Sequence, residues 1–150
     1  MLRRDYDGQD CSIARALEVV GERWTLLIIR DVFSGRRRFD ELQESLGIAR
    51  NVLTNRLNRL VDEGILERVR YSERPQRFEY RLTAKGRELY VALTALRQWG
   101  DKHLSDKPSQ LLRRKADKKR VIAALVPRGT RVVSPDEVEL VPRARPAGSR

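Results

Sequence analysis

Side chains able to carry covalent, acid–base or metal chemistry are scarce in this 150-residue chain, which has one cysteine, Cys11, and one histidine, His103. A lone histidine has no second ligand with which to hold a metal and no nucleophile to activate. One cysteine closes no internal disulfide and builds no cysteine-rich zinc site. The sequence contains no glycine-rich phosphate loop, no nucleophile elbow and no paired-histidine motif. No catalytic residue, cofactor or metal is expected, and the chain does not read as an enzyme. What remains at Cys11 is thiol chemistry. The start of a helix favours a thiolate, and Arg15 one turn on adds to that, while Asp10 opposes it. Two readings stay open: a reactive thiol, or a small, partly buried residue of no redox use.

The second available chemistry is hydrogen bonding to a polyanion. Lysine and arginine total 32 against 21 acids, for a net charge of +11 and a pI near 10.6. So basic a chain most often meets nucleic acid; a cation-rich solvated surface is the alternative. Residues 50–63 concentrate the useful groups. On a helical wheel turning about 100° per residue, Leu53, Leu57, Leu60 and Val61 share one face. Asn51, Asn55 and Asn58 fall opposite, flanked by Thr54 and Arg59, with no acid before Asp62. Asparagine is a poor helix former, and glutamate or lysine would serve a merely solvated face better. Asparagine can pair with adenine through two hydrogen bonds, and arginine can reach guanine or a phosphate. The N-terminal turns of a helix in the major groove are the ones that touch bases. Arg50, Asn51, Thr54, Asn55, Asn58 and Arg59 therefore form a candidate reading face. Arg56, at its edge, either lies along the core or reaches a phosphate. Arg36, Arg37 and Arg38 before the preceding helix, and Arg74, Gln76 and Arg77 around a later turn, are candidate backbone contacts. For these two groups an ordinary polar turn is the alternative.

These groups need elements to position them. Ile13, Ala16, Leu17 and Val20 make one helical stripe after a Ser12 cap, closed by Gly21. A second helix, residues 24–33, is apolar almost all round and should lie in the centre of the domain. A third, about 39–46, is followed by Gly47, suited to the left-handed turn at a helix end, and then by the reading helix, about 50–63, closed by Gly64. Short helix, turn of about three residues, longer helix is the sequence form of a helix-turn-helix. The period then changes from 3.6 to 2: residues 69–71 and 78–82 alternate around a basic, proline-containing loop, which reads as two antiparallel strands. Thr83 should cap one long helix to about residue 102, with Leu89, Leu93, Leu96 and Trp99 on a wide apolar surface. A partner subunit or a buried monomer core would cover it. Beyond residue 104, the segment 113–120 holds six bases and one acid. Residues 121–126 and 131–134 read as a possible hairpin around Pro127-Arg128-Gly129-Thr130, and residues 142–150 as disordered. The expected fold is thus mainly α with a small β-wing (α+β): a winged helix-turn-helix DNA-binding and dimerisation domain over residues 10–104, followed by a basic tail over 105–150.

The segments 11–17, 21–28, 38–42 and 53–57, and then Glu79-Tyr80-Arg81-Leu82-Thr83-Ala84-Lys85-Gly86, together resemble the HxlR family of bacterial regulators, in order and spacing, over roughly residues 10–104. The resemblance implies a winged helix related to the MarR-like regulators, and a homodimer built from the first and last helices of the domain. It also aligns Cys11 with a cysteine that some members use to sense quinones, aldehydes or hypochlorite. Two positions depart from the pattern. The family often caps its reading helix with serine, where this chain has Ala49. Some members carry a cysteine-bearing metal ribbon after the domain, but this tail has no cysteine, so no zinc is implied.

Residues and resemblance together point to a sequence-specific transcriptional regulator, a repressor by expectation, that binds an inverted-repeat operator in double-stranded DNA as a homodimer. An oxidant or small-molecule effector is compatible with this reading. The competing reading is a winged-helix architectural or protein-interaction module without operator specificity, which would need only cations. No run of about 18 apolar residues and no secretory leader pattern is present, so the expected location is the bacterial cytoplasm, at the nucleoid.

Overall fold

The apolar stripes become four helices: α1 (Ser12–Val20), α2 (Thr25–Phe33), α3 (Phe39–Leu46) and α4 (Arg50–Asp62). The structure is a computed structural model that describes Tyr6 and residues 8–108 and 110–143. A two-stranded antiparallel sheet follows, β1 (Leu66–Glu73) and β2 (Gln76–Leu82), then a single turn of helix, α5 (Ala84–Arg87). After it come α6 (Tyr90–His103), β3 (Gln110–Arg114), a short 3-10 turn (Pro135–Glu137) and β4 (Val138–Pro142). The chain divides into two compact units between Glu88 and Leu89.

In the first unit the core is made by the residues that periodicity selected. Ile28 and Ile29 of α2, Leu42 of α3, and Leu53, Leu57 and Leu60 of α4 have no exposed surface. Each such side chain contributes about 1.5–3 kcal/mol relative to exposure. Leu66, Tyr80 and Leu82 close the core from the base of the sheet. The helix α2 is central as expected, with one surprise. Asp31 is 1% exposed, its Oδ1 accepting from Arg30 Nε at 2.8 Å and pairing with Nη2 at 2.7 Å. The partly exposed arginine neutralises this charge through Oδ1 alone; among the described residues Oδ2 has no hydrogen-bond partner.

Gly47 ends α3 at φ +61°, the left-handed conformation that glycine adopts without cost, and turns the chain into α4. The other end of α3 is held by Glu41. Its Oε2 accepts from the backbone N–H of Arg37 and of Arg38, each at 3.0 Å. Those N–H groups, Arg38's first, hold the Glu41 carboxyl below its usual range. At α1 the N-cap is Cys11, not Ser12, which is the first helical residue.

The wing is longer than alternation suggested. Its ladder runs from Leu66 opposite Leu82 to Glu73 opposite Gln76, with a register shift between Arg70 and Ser72. The six-residue loop expected over 72–77 shrinks to Arg74-Pro75, and Gln76 and Arg77 lie on β2. Toward the tip both faces are solvated, so backbone pairing continues without the apolar alternation that marks a half-buried strand.

Thr83 does cap a helix, its hydroxyl accepting from Gly86 N at 3.1 Å, but the long helix expected from residue 83 is two. At Glu88 and Leu89 the α-type ladder lapses although both keep right-handed dihedrals. Gly86 is required for packing: a Cβ there would collide with the Ile65 carbonyl oxygen.

In the second unit the strands are not where the sequence suggested. Residues 121–134 form no hairpin; the ladder is β3 with β4, from Gln110 opposite Pro142 to Arg114 opposite Val138. Arg113 stands directly across from Glu139 and pairs with it at 2.7 Å, an attractive cross-strand contact. The run 121–126 is held instead at two points: Val121 N donates to Leu112 O at 2.9 Å, and Gln98 accepts from Ala123 N at 3.1 Å and donates to Ala123 O at 3.2 Å. Bases of the run 113–120 meet acids: Arg114 and Lys119 pair with Asp117, and Lys118 with Glu139. Arg114 beside Asp117 holds that carboxyl well below the usual carboxylate range. The disorder expected over residues 142–150 falls, from residue 144 on, outside the described residues; Pro142 is the last residue of β4.

Candidate nucleic-acid interface

The reading helix meets the core with Leu53, Leu57 and Leu60, which fixes the opposite face outward. Arg50, Asn51, Thr54, Asn55 and Asn58 are exposed and together line one open concavity. Of the six candidates for the reading face, Arg59 alone does not line it. Individual hydrogen bonds refine what each side chain can offer. Thr54 Oγ1 donates to Arg50 O at 2.9 Å, so its hydroxyl hydrogen is used and it presents acceptor lone pairs and a methyl group. Arg50 stacks its guanidinium over the Phe39 ring at 4.6 Å and lies 4.0 Å from Asp40, on the side of α3.

Two arginines of α4 are committed elsewhere. Arg56 Nε donates to Arg23 O at 3.1 Å, and Nη1 reaches Glu22 Oε2 at 2.9 Å and Asn55 Oδ1 at 2.7 Å. Its side chain is only 20% exposed. Arg59 Nη2 donates to Glu18 O at 3.1 Å, and Nε lies 3.4 Å from Glu63. Both fasten α4 to α1 and to the turn after it, where Trp24 stands at φ +80°, a left-handed conformation that costs a non-glycine residue energy. Of the two positions open to Arg56, along the protein or at a phosphate, it occupies the first.

Around α4 lie the other candidate cations. Arg36, Arg37 and Arg38 precede α3 and are exposed. The Arg37 carbonyl accepts from Tyr80 N at 2.7 Å, which ties this segment to β2, and the Arg38 guanidinium lies 4.7 Å from the Tyr71 ring centroid. At the wing, Arg74, Gln76 and Arg77 are all exposed. Among the described residues Arg74 and Arg77 form no ion pair within the chain.

Cys11 is exposed. The backbone N–H groups of Ala14 and Ile13 lower its pKa from the ordinary thiol value. Arg15 and Asp10, whose effects on the thiol looked opposed, pair with each other at 2.9 Å. Further along, α6 has no buried residue, and Val91, Leu96 and Trp99 are 53–64% exposed. Leu89 and Leu93 are half-buried. On α1, Ile13 and Leu17 are exposed as well. Sequence reasoning missed the anchors of Arg56 and Arg59. Their partners lie 33 and 41 residues away, and no local pattern signals them.

A glycine-turned helix pair, a second helix with an outward amide face, and a basic two-stranded wing define a winged helix-turn-helix. Residues 19–108 match the HxlR-like helix-turn-helix family, and the chain belongs to that family. The chain is similar to the uncharacterized HTH-type transcriptional regulator Rv3095 of Mycobacterium tuberculosis, with 52% identity over 103 residues, 69% of this chain and 64% of that protein. It thus spans less than two thirds of that relative's length. It is also similar to the solved structure of PA1607, a candidate transcription factor: 39% identity, a TM-score of 0.72, 84% of this chain and 96% of that one. The redox regulator HypR in its oxidized form matches with 29% identity and a TM-score of 0.59, over 63% of this chain and 99% of that one. Among the described residues no helix is long and apolar enough to cross a membrane.

Proposed function

We propose that the protein is a sequence-specific DNA-binding transcriptional regulator, a repressor acting in the bacterial cytoplasm at the nucleoid. The observation that carries this reading is the outward face of Asn51, Thr54, Asn55 and Asn58 over a fully buried leucine row. Non-specific phosphate binding needs cations; a cluster of amides supplies directional donors and acceptors suited to base edges. Residues 10–104 bind DNA and dimerise, with 105–150 as a basic extension. The exposed apolar residues of α1 and α6 support a homodimer through these helices. The operator is then two inverted half-sites about one helical turn, roughly 10 bp, apart. Footprinting on the promoter of the protein's own gene and its divergent neighbour tests this reading. A protected site with dyad symmetry is expected. Uniform protection without a preferred site would favour an architectural module.

Exposure and a lowered thiol pKa at Cys11 support an oxidant or electrophile as effector. With one cysteine per chain, oxidation leads to an intersubunit disulfide, a mixed disulfide or an adduct. Diamide or a quinone should change operator affinity in the wild type and leave Cys11→Ser unaffected. Identical responses of the two proteins in a gel-shift titration would eliminate the sensor.

A further inference from the structure

We propose that Arg56 fixes the side-chain amide of Asn55 so that this residue reads guanine, through its amino group, and not adenine. The inference rests on the DNA-reading role of α4 and adds the chemistry of one position. A guanidinium carries only donors, so the atom of Asn55 facing Arg56 at 2.7 Å is the amide oxygen. That assignment follows from the partner's chemistry. The guanidinium is itself pinned at two further points, to the Arg23 carbonyl and the Glu22 carboxylate, and is mostly buried. Its position is set by the protein, and the exposed amide orients toward it.

An adenine contact would use both ends of the amide at once: Oδ1 accepts from the 6-amino group while Nδ2 donates to N7. Here Oδ1 is engaged by a charged donor, a stronger bond than one between neutral groups. The second lone pair of that oxygen is still open, but a base amino group placed on it would sit in the field of the guanidinium, positive edge toward positive charge, which disfavours the adenine contact. Guanine offers N7 and O6, two acceptors and no donor, on the same edge. Nδ2 is left to donate to that edge, and the nearby positive charge favours it further. The Arg56 side chain thus acts as a positioning residue: it touches no base and selects one through Asn55.

The test starts from duplexes selected out of a randomised pool by the wild type and by Asn55→Ala. Comparison of the two pools identifies the position whose base preference depends on Asn55. Guanine is expected there. Replacing it with 7-deazaguanine should weaken wild-type binding about tenfold and leave Asn55→Ala unchanged. In Arg56→Lys, with helical content checked by circular dichroism, the preference should relax or move to adenine, because one ammonium cannot hold three separated acceptors. A folded Arg56→Lys that keeps the full guanine preference overturns the role of Arg56; if that variant does not fold, the deazaguanine comparison still tests the guanine contact on which the role depends. An Asn55-dependent base other than guanine overturns the proposal, as does an unchanged motif in the Asn55→Ala pool. A wild-type pool with no motif overturns the sequence-specific reading itself, and this inference with it.

Discussion

Replacing Leu93 and Leu96 together with aspartate is expected to give a monomer whose operator affinity falls by about 10²–10⁴-fold, because two linked half-site contacts become one. Leu96 is 53% exposed, and it shares its helix with Val91 and Trp99, which are 64% and 57% exposed. Single exposed apolar residues are ordinary on protein surfaces. Large apolar side chains repeated along one helix that buries none of its residues are less so. Leu93 is half-buried, so the single Leu96→Asp substitution provides the control for folding. Sedimentation at micromolar concentration should show a dimer for the wild type and a monomer for the double variant. A wild-type monomer would remove the homodimer and the inverted-repeat operator together.

Leu57→Ala should destabilise the protein by about 2–5 kcal/mol. Leu57 is fully buried, and both Leu53 and Leu60, one turn to either side on the same face, are fully buried too. The cavity would open directly beneath the reading face. Chemical denaturation followed by circular dichroism gives the loss of stability. At a temperature where the variant is still folded, operator affinity should fall further than scrambled-DNA affinity, because base contacts depend on helix placement more than phosphate contacts do. A loss below about 1 kcal/mol would mean that α4 does not pack through this row.

What the sequence made legible is the set of features with a local period. The leucine row and amide face of α4 follow from a 3.6-residue repeat, and the turn at Gly47 from one residue's freedom at positive φ. On β2 the alternation shows because Tyr80 and Leu82 are buried; Leu66, buried at the base of β1, lies outside the alternating residues 69–71, and the tip shows none because nothing covers it. Features built on distant partners were illegible. The β3–β4 pairing joins Leu112 to Leu140 across an intervening apolar run that looked more strand-like than either partner. The buried Asp31 was hidden in an apolar helix because its compensating group, Arg30, is its neighbour on the chain, where side chains usually diverge. The roles of Arg56 and Arg59 turn on backbone carbonyls of Arg23 and Glu18, which no residue type announces.

The division of labour between α4 and the wing is the central claim, and a salt titration of Asn55→Ala and Arg77→Ala on operator and scrambled duplexes tests it most directly. Asn55→Ala should cost about 1–3 kcal/mol on the operator and little on scrambled DNA. Arg77→Ala should weaken both duplexes alike and make the salt slope shallower by about one unit. Equal weakening of both duplexes by Asn55→Ala would contradict the claim: α4 would then not be the element that reads sequence.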